Sequence, residues 1–455
     1  RYGGRDFDRR SVVAELTAGL PTVTRTVVLP YLGDEGDWDE VFADTEEALE
    51  FERVPFAHPL WILYSSGTSG KPKAIVHGHG GILLEHLKVA GLHVDAKQGD
   101  RVFWFTTTGW MMWNFLVSML LTPAEIVLYD GLPSDDLWQL ARDAGITVFG
   151  TSAAFIHAQM KAGVTPPPLP SLRAVGSTGS PLSAAGFEWV WDHLGERTWL
   201  FSISGGTDVC SAFVGGVPTL PVWVGEIQAR SLGCAVEAWD EHGHPVLGEV
   251  GELVITRPMP SMPVGFWNDP DGSRYREAYF DFYPPQDGRR VWRHGDWLEI
   301  TPRNTCVIHG RSDATINRGG IRMGTAEIYA AVLAVDGVSD ALVVDVPAKD
   351  PAADSWMPLF VVTPEELSDD LVAEIRRRIR SDCSPRHVPN VVVRVPAVPR
   401  TLTGKALEIP VKRLFLGADP ATVATRDALA NPEAFDWFVD YVADHPAPVQ
   451  APVQG

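Results

Sequence analysis

Residues 64–73 carry the densest group of side chains able to do chemistry. They read YSSGTSGKPK and follow a short apolar run at residues 60–64. A glycine-rich loop of this kind can wrap phosphate oxygens, because glycine lets the backbone come close and the lysines add positive charge. It is not the P-loop of the NTPases, since Ser65 stands where that motif has its first glycine and Pro72 follows Lys71. Taken alone, such a loop is more often a surface turn.

Three later segments add polar groups that suit a nucleotide. In HGDW, at residues 294–297, the Asp296 carboxylate can hold a ribose diol, although an aspartate after glycine is more often a turn residue. Within residues 310–327, Arg311 and Arg322 flank a glycine-rich turn, and their forked donors suit phosphate, although the segment could equally be a solvated loop between two domains. In PRTLTGK, at residues 399–405, Lys405 can neutralise charge on a phosphate transition state, or simply belong to a polar loop.

Composition excludes several classes of protein. The 455 residues carry a net charge of −20, which argues against nucleic acid or an anionic membrane as the main partner. The longest apolar stretch, residues 115–121, is far too short to span a bilayer. Four widely separated cysteines give no zinc spacing and fit a reducing cytoplasm. His77 and His79 have no acidic or cysteine neighbour in sequence, so a metal site there is discounted.

The elements that must position these groups fall into three regions. From about residue 59 to 230, strand-like runs alternate with helical patterns, which predicts an α/β fold with a mostly parallel, helix-covered sheet. Short strands between turn residues predict a small β subdomain at residues 223–310. From residue 311 to 455 we expect a smaller α+β domain, with a disordered tail after about residue 445. The sequence begins with Arg1 and looks like the later part of a longer chain.

Six segments in a fixed order connect these observations. They are YSSGTSGKPK, GSTGSP at 176–181, GGTD at 205–208, HGDW, GRSDATINRGGIRMGTAEIY at 310–329, and PRTLTGK. Across residues 55–415 the chain resembles the acyl-adenylate-forming superfamily of acyl-CoA synthetases, adenylation domains and luciferases. Within it, the acetoacetyl-CoA synthetase branch is similar at TTTGWMMWN (106–114), RPMPSMPVGFW (257–267) and GSRYREAYFDF (272–282).

The resemblance implies a two-step ligase reaction with ATP, Mg²⁺ and CoA. A carboxylate, expected to be acetoacetate, attacks the α-phosphate of ATP and gives an acyl-adenylate and pyrophosphate. The CoA thiol then displaces AMP, after a mobile C-terminal domain has rotated about a hinge at Asp313. Residues 1–310 would be the later part of the large domain, because such enzymes have a substantial N-terminal segment before the point where this sequence starts. The protein contributes positioning and electrostatics.

The same resemblance assigns roles to individual residues. The groups around the β- and γ-phosphates would be Ser65, Ser66, Gly67, Thr68, Ser69, Gly70, Lys71 and Lys73. The groups around the nucleoside would be Gly179, Ser180 and Pro181 at the adenine, and Asp296 and Arg311 at the ribose. The groups at the reacting phosphate and the CoA channel would be Thr207, Arg322, Lys405 and Gly320. Asp208 would bind Mg²⁺, with a shorter reach than the glutamate usual in the superfamily.

The acid is expected to be larger than acetate. Acetyl-CoA synthetases have a tryptophan two residues before the threonine of their Thr-Glu pair, and it caps the acetate pocket. This chain has Gly205 there, beside Gly206. Trp110, Met111 and Met112 lie where the family places acyl-pocket residues, with plain core packing as the equal alternative for the two methionines. The choice of acetoacetate depends on the resemblance alone.

Two other functions stay open from the sequence. A CoA ligase for butyrate or 3-hydroxybutyrate would share every segment, and Gly205→Trp would shift its preference toward acetate if Gly205 lines the pocket. A non-catalytic nucleotide or CoA sensor belongs to another class, and the intact set of Lys405, Arg322 and Asp296 speaks against it. Lys405 is also the expected target of a lysine acetyltransferase and deacetylase, because acetylation removes the charge that adenylation needs.

Overall fold

The structure is a computed structural model that describes residues 6–29, 31, 38–41, 48–65, 73–132, 136–285, 288–312, 316–318, 321–323, 325–347, 355–401 and 404–446. It divides into two compact units, one of Arg1–Val54 with Leu128–Leu137 and one of Pro55–Val127 with Trp138–Gly455. Among the helices in this part of the chain, none combines the length and hydropathy that a membrane crossing requires.

Most of the described residues of the first unit are exposed. Its helices are α1 (Arg10–Gly19) and α2 (Trp38–Val41). None of the residues of α1 is buried, and Leu16 within the helix and Leu20 directly after it are more than half exposed. The apolar face of α1 therefore does not form part of a hydrophobic core, and the predicted site residues all belong to the second unit.

The second unit starts with a hairpin around the glycine-rich loop. Its antiparallel strands are β1 (Pro59–Ser65) and β2 (Lys73–Gly78), and Ser65 pairs with Lys73. They are followed by α3 (His79–Lys88) and a π-helical turn at Val89–His93. This hairpin differs from the parallel arrangement expected for the region. The seven residues 66–72 are enough to connect two antiparallel strands. Two adjacent parallel strands need a crossover connection of about a dozen residues or more.

A parallel sheet forms the centre of the second unit. Strands and helices alternate in the order β3 (Arg101–Trp104), α4 (Met111–Ser118), β4 (Glu125–Val127), α5 (Asp136–Asp143), β5 (Val148–Ser152), α6 (Ala153–Lys161), β6 (Ala174–Thr178), α7 (Ala184–Leu194) and β7 (Trp199–Ser202). The strand order is β4-β3-β5-β6-β7, and every pair is parallel. Val148 and Phe149 on β5 are fully buried, as expected for a strand covered on both faces. The predicted helix-covered sheet is confirmed.

Antiparallel strands then build the β subdomain. They are β8 (Ser204–Gly206), β9 (Ser211–Gly215), β10 (Ala229–Arg230), β11 (Val236–Trp239), β12 (Pro245–Val246), β13 (Val250–Ile255), β14 (Gly265–Phe266), β15 (Trp292–Ile300) and β16 (Cys306–Arg311), with helix α8 (Ser273–Tyr279) between β14 and β15. The order β12-β11-β13-β15-β16 makes a five-stranded sheet, and β14 pairs with β2. Trp292 on β15 and Phe213 on β9 lie in the buried core of this group of antiparallel strands. The small β subdomain was predicted at residues 223–310, whereas β8 and β9 precede residue 223, and its bounds stay a prediction.

The C-terminal region has a mixed sheet with a core on each face. Its elements are β17 (Ile316–Arg318), β18 (Ile321–Met323), α9 (Thr325–Leu333), β19 (Asp340–Val343), β20 (Pro358–Val362), α10 (Asp369–Asp382), β21 (Val391–Arg394), α11 (Glu408–Phe415), α12 (Pro420–Val423) and α13 (Pro432–Asp444). β20 is antiparallel to β19 and parallel to β21. Leu359 and Phe360 belong to different buried clusters, because successive side chains of a strand point to opposite faces. The α+β fold is confirmed, while the boundary near residue 310 stays a prediction.

Candidate active site

Asp208, in the turn between β8 and β9, lies among groups from distant parts of the chain. Lys73, the first residue of β2, places its Nζ 2.7 Å from Asp208 Oδ1. The hydroxyl of Tyr279, at the end of α8, donates to the same oxygen. Burial acts to raise the pKa of Asp208, but Lys73 and His294 outweigh it and hold this pKa well below its ordinary value. The predicted metal ligand is therefore an ionised carboxylate beside a predicted phosphate-binding lysine.

Two buried histidines hold the backbone around Asp208. His77 Nε2 lies 3.1 Å from the carbonyl oxygen of Asp208, and His86 Nε2 lies 2.7 Å from that of Cys210. A carbonyl only accepts, so both ring nitrogens donate. Burial lowers the pKa of both imidazoles, that of His77 to about 4. The sequence drew attention to His77 only as a discounted metal ligand, and its structural role as a backbone donor was missed.

The predicted ribose-binding pair lies across two neighbouring strands. Asp296 on β15 is in register with Arg311 on β16, and Arg311 Nη1 is 3.3 Å from Asp296 Oδ1. His294 Nε2 lies 3.5 Å from Asp296 Oδ2, and burial keeps the pKa of His294 below its usual value. A Cβ added to Gly206 would lie 2.8 Å from His294 Cε1 and 3.2 Å from Asp208 Oδ2. The carboxylates of Asp208 and Asp296 thus belong to one site, in which Gly206 lies between Asp208 and His294.

The predicted adenine segment starts at the adjacent end of the parallel sheet. Residues 179–181 directly follow β6, and Gly179 has φ +88°, a left-handed backbone that favours glycine. Thr178 Oγ1 donates to the carbonyl oxygen of Ile203 at 3.0 Å, which ties the end of β6 to the end of β7. The chain then continues through β8 to Thr207. Open α/β sheets bind their ligands at the carboxyl ends of the strands, where these two segments begin.

The structure changes what Gly205 means for the acyl pocket. A Cβ built on Gly205 would lie 2.0 Å from the carbonyl oxygen of Ser211 on β9. A side chain at this position would therefore collide with the backbone of β9. The absence of the tryptophan that caps the acetate pocket of acetyl-CoA synthetases thus does not by itself leave open space at Gly205. Met112 is buried in the core cluster beside the parallel sheet, whereas Trp110 and Met111 are partly buried at the edge of that cluster. The acyl-pocket roles stay predictions.

Lys405 lies in a turn whose backbone is fixed from both sides. Its N–H donates to Thr401 Oγ1 at 3.1 Å, and the carbonyl oxygen of Gly404 accepts from Arg400 Nη1 at 2.7 Å. Arg400 also binds the Asp340 carboxylate with Nη2 at 2.7 Å and Nε at 3.2 Å. Lys405 itself is exposed. The ion pair between Arg400 and Asp340 thus anchors this turn to β19, and the turn holds Lys405 at the surface.

Several predicted site residues are not described by the structure. Those outside the described residues are Ser66, Gly67, Thr68, Ser69, Gly70, Lys71, Asp313 and Gly320. Arg322 pairs with Asn317 between β18 and β17 at the backbone level, and its side chain is outside the description. The roles of the phosphate loop, the hinge, the pantetheine channel and Arg322 therefore stay predictions. The exposed Ser180 and Pro181 are placed only by their position after β6.

A second buried carboxylate was missed by the sequence reasoning. Glu252 on β13 accepts from the N–H of Gly295 at 3.1 Å and from the Ser312 hydroxyl at 2.8 Å, and pairs with Arg293 at 3.1 Å. Burial raises the pKa of Glu252, with Arg293 and Ser312 opposing it. This network fixes the backbone of β15 next to Asp296 and the end of β16 next to Arg311. A single glutamate within an apolar strand gives no local signal, since its partners are distant in sequence.

Comparisons with known proteins identify the family to which the chain belongs. A family model described as AMP-binding enzyme matches residues 6–265, and its C-terminal domain model matches residues 327–405. The chain is 47% identical to the acetoacetyl-coenzyme A synthetase of Rhizobium meliloti (strain 1021), over 96% of this chain and 68% of the relative. It is 42% identical to the acetoacetyl-CoA synthetase of Gallus gallus, with the same two shares.

Solved structures give the same result. The acetoacetyl-CoA synthetase from Streptomyces lividans superposes with a TM-score of 0.89 at 50% identity, covering 98% of this chain and 69% of that one. ATP-bound MatB from Rhodopseudomonas palustris has a TM-score of 0.73 at 19% identity, covering 89% and 78%, which is a likeness of fold. The resemblance inferred from six ordered segments is confirmed. The chain belongs to the acetoacetyl-CoA synthetase family of AMP-binding enzymes.

Proposed function

We propose that this chain activates acetoacetate with ATP to acetoacetyl-AMP and transfers the acyl group to CoA. The products are acetoacetyl-CoA, AMP and pyrophosphate. The observation that carries the proposal is the convergence of Lys73, Asp208 and Asp296 at one site, where Asp208 and His294 both border Gly206. The acetoacetyl-CoA synthetases to which the chain is 42% and 47% identical supply the choice of acid.

The charges of the site suit a nucleotide triphosphate. Lys73 is a cation at the end of the glycine-rich loop, where it can neutralise the leaving pyrophosphate. The carboxylate oxygens of Asp296 can accept hydrogen bonds from the ribose hydroxyls. Arg311 Nη1 lies 3.3 Å from Asp296 Oδ1 and holds this carboxylate in place. Residues 179–181 approach from the end of β6, where a planar base can lie against the backbone. Lys405 would bring a further cation to the reacting phosphate from its turn in the C-terminal region.

The Asp208 carboxylate fits one Mg²⁺ contact. No cluster of three or more His, Cys, Asp or Glu able to hold a metal occurs among the described residues. Mg²⁺ needs no such cluster, since it usually takes one or two carboxylates together with substrate phosphates and water. Asp208 Oδ1 is held by Lys73 and Tyr279, while Oδ2 faces the space next to Gly206 that a Cβ would occupy. Bound Mg²⁺ would screen the phosphate charge, and Asp208 would orient it.

Exchange of ³²P-pyrophosphate into ATP tests the adenylation step. Acetoacetate, acetate and butyrate are compared at equal concentration, with this chain and with a version extended at its N-terminus. We expect exchange driven chiefly by acetoacetate. Exchange driven equally by butyrate would make the chain a less selective short-acid ligase. ATP binding without exchange for any acid, in the extended protein as well, would instead support a nucleotide sensor.

Two further features of the proposal concern the setting of the enzyme. The four cysteines are free thiols, and burial raises the pKa of Cys210, Cys234 and Cys306. Unpaired thiols support a cytoplasmic location. The exposed Lys405 supports control by a lysine acetyltransferase and deacetylase, since acetylation would remove its charge.

A further inference from the structure

A buried tyrosine connects the carboxylate and the lysine of the site. The Tyr279 hydroxyl donates to Asp208 Oδ1, and Lys73 Nζ lies 3.3 Å from the same hydroxyl oxygen. Lys73 Nζ also lies 4.7 Å from the centre of the Tyr279 ring, within range of a cation–π contact. One side chain therefore contacts both charged groups, through its hydroxyl and through its ring face.

Tyr279 is held rigidly enough to impose an orientation. Only 3% of it is exposed, and its ring stacks on the fully buried Trp292 with centroids 3.7 Å apart and planes within 10°. The start of α8 is fixed by the Asp269 carboxylate, which accepts the N–H of Tyr275 at 2.9 Å. Asp208 and Lys73, in contrast, extend from a turn and a strand end. The rigid partner in this cluster is thus the tyrosine.

We propose that Tyr279 is a positioning residue that fixes the rotamer of Asp208 and the direction of Lys73 for nucleotide binding. With Oδ1 held by the phenol and the ammonium, Oδ2 is turned toward Gly206, on the side where His294 and Asp296 lie. This inference rests on the proposed function, because it names a residue that serves the same nucleotide site.

The hydroxyl can be removed while the packing is kept. Tyr279→Phe leaves the stacking on Trp292 and the ring face toward Lys73. A matched control is Tyr275→Phe on the same helix, because the Tyr275 hydroxyl donates to the carbonyl oxygen of Pro263 at 3.2 Å and not to a site residue. Circular dichroism and the thermal midpoint without ligand show whether each variant folds like the wild type.

The first readout is binding, independent of turnover. The rise in thermal midpoint with ATP is measured with Mg²⁺ and with EDTA, and converted to dissociation constants. We expect Tyr279→Phe to weaken MgATP binding roughly 10- to 100-fold, the usual range for a hydrogen bond to a charged group. Binding of ATP in EDTA should change much less. Tyr275→Phe should leave both constants within about threefold.

The second readout is a double-mutant cycle on pyrophosphate exchange. If Tyr279 acts through Asp208, Tyr279→Phe should raise the KM for MgATP with little change in the KM for acetoacetate, and should have almost no further effect once Asp208→Asn is present. Equal behaviour of the Tyr279 and Tyr275 variants, or additive effects in the cycle, would overturn the positioning role while leaving the proposed function intact.

The two proposals fail in different ways. A wild-type protein that shows no exchange with acetoacetate, but whose MgATP binding is weakened only by Tyr279→Phe, would refute the proposed acid and keep the positioning role. A wild-type protein with no nucleotide binding would overturn both. Unfolding of Tyr279→Phe would contradict the claim that the hydroxyl serves the site, because the ring and its packing are retained.

Discussion

The close contact of β8 with β9 at Gly205 leads to a prediction that separates strand packing from acyl selection. A Cβ on Gly205 would lie 2.0 Å from Ser211 O and 2.5 Å from Ala212 Cα, both backbone atoms. Neither atom can rotate away, so the strands must separate by about an ångström to restore a normal contact. Overpacking of this kind typically destabilises a protein by about 1–3 kcal/mol. Because the unfolding entropy grows with the length of the chain, we expect Gly205→Ala to lower the thermal midpoint by only about 1–3 °C.

The matched control is Gly265→Ala. Gly265 also lies in a strand, β14, and an added Cβ there meets no atom within 4 Å. Its stability should therefore stay within about 0.5 kcal/mol of the wild type. Differential scanning calorimetry of both variants, with urea unfolding followed by tryptophan fluorescence, measures the difference.

The result that would refute this reasoning comes from the bulkier variant. On the strand-packing account, Gly205→Trp should be poorly folded and inactive toward every acid. If Gly205→Trp instead keeps the wild-type midpoint and prefers acetate to acetoacetate, the side chain at residue 205 projects into the acyl pocket. The displacement argued from Ser211 would then be wrong, and the pocket assignment made from sequence would be correct.

Three further outcomes follow from the site. Lys73→Met should raise the KM for ATP and lower pyrophosphate exchange at least tenfold, because Asp208 loses its cation partner; unchanged kinetics would argue against this pairing in the active enzyme. Lys405→Gln should lower adenylation about 100-fold or more while sparing thioester formation from added acetoacetyl-AMP, and equal loss of both half-reactions would contradict its step-specific role. The free energy of unfolding should fall as the pH drops from 6.5 toward 4, because folded His77 stays neutral, with a pKa of about 4, while the same residue gains a proton in the unfolded chain. Urea unfolding at pH 7.5, 6 and 5 should show a loss of up to about 1.4 kcal/mol per pH unit from this residue, and the loss should be smaller in His77→Gln.

The sequence was most informative where chemistry is local. The order of strand-like and helix-like runs predicted the parallel sheet, because each element carries its own hydrophobic pattern. The segments around Asp208 and Asp296 were found because their residue types and spacing are recognisable without partners. The pairing of β1 with β2 was not evident, since an apolar run such as residues 60–64 does not show which strand lies beside it.

The remaining parts of the site depend on contacts between distant segments. Tyr279 and Asp208 are 71 positions apart, and only the path of α8 and β15 brings the hydroxyl to the carboxylate. Glu252 meets Ser312 across 60 positions in the same way. For Gly205 the residue type was noticed, but the direction in which a side chain would point depends on the register of β8 and β9. Such directions follow from tertiary packing and not from residue type.

Direct detection of the product tests the proposed function most plainly. The N-terminally extended protein and this chain are incubated with ATP, Mg²⁺, CoA and an equimolar mixture of acetoacetate, acetate and butyrate, and acyl-CoA species and AMP are quantified by mass spectrometry. We predict that acetoacetyl-CoA predominates and that AMP forms in equal amount. Formation of ADP in place of AMP, or a predominance of acetyl-CoA or butyryl-CoA, would contradict an AMP-forming acetoacetate ligase.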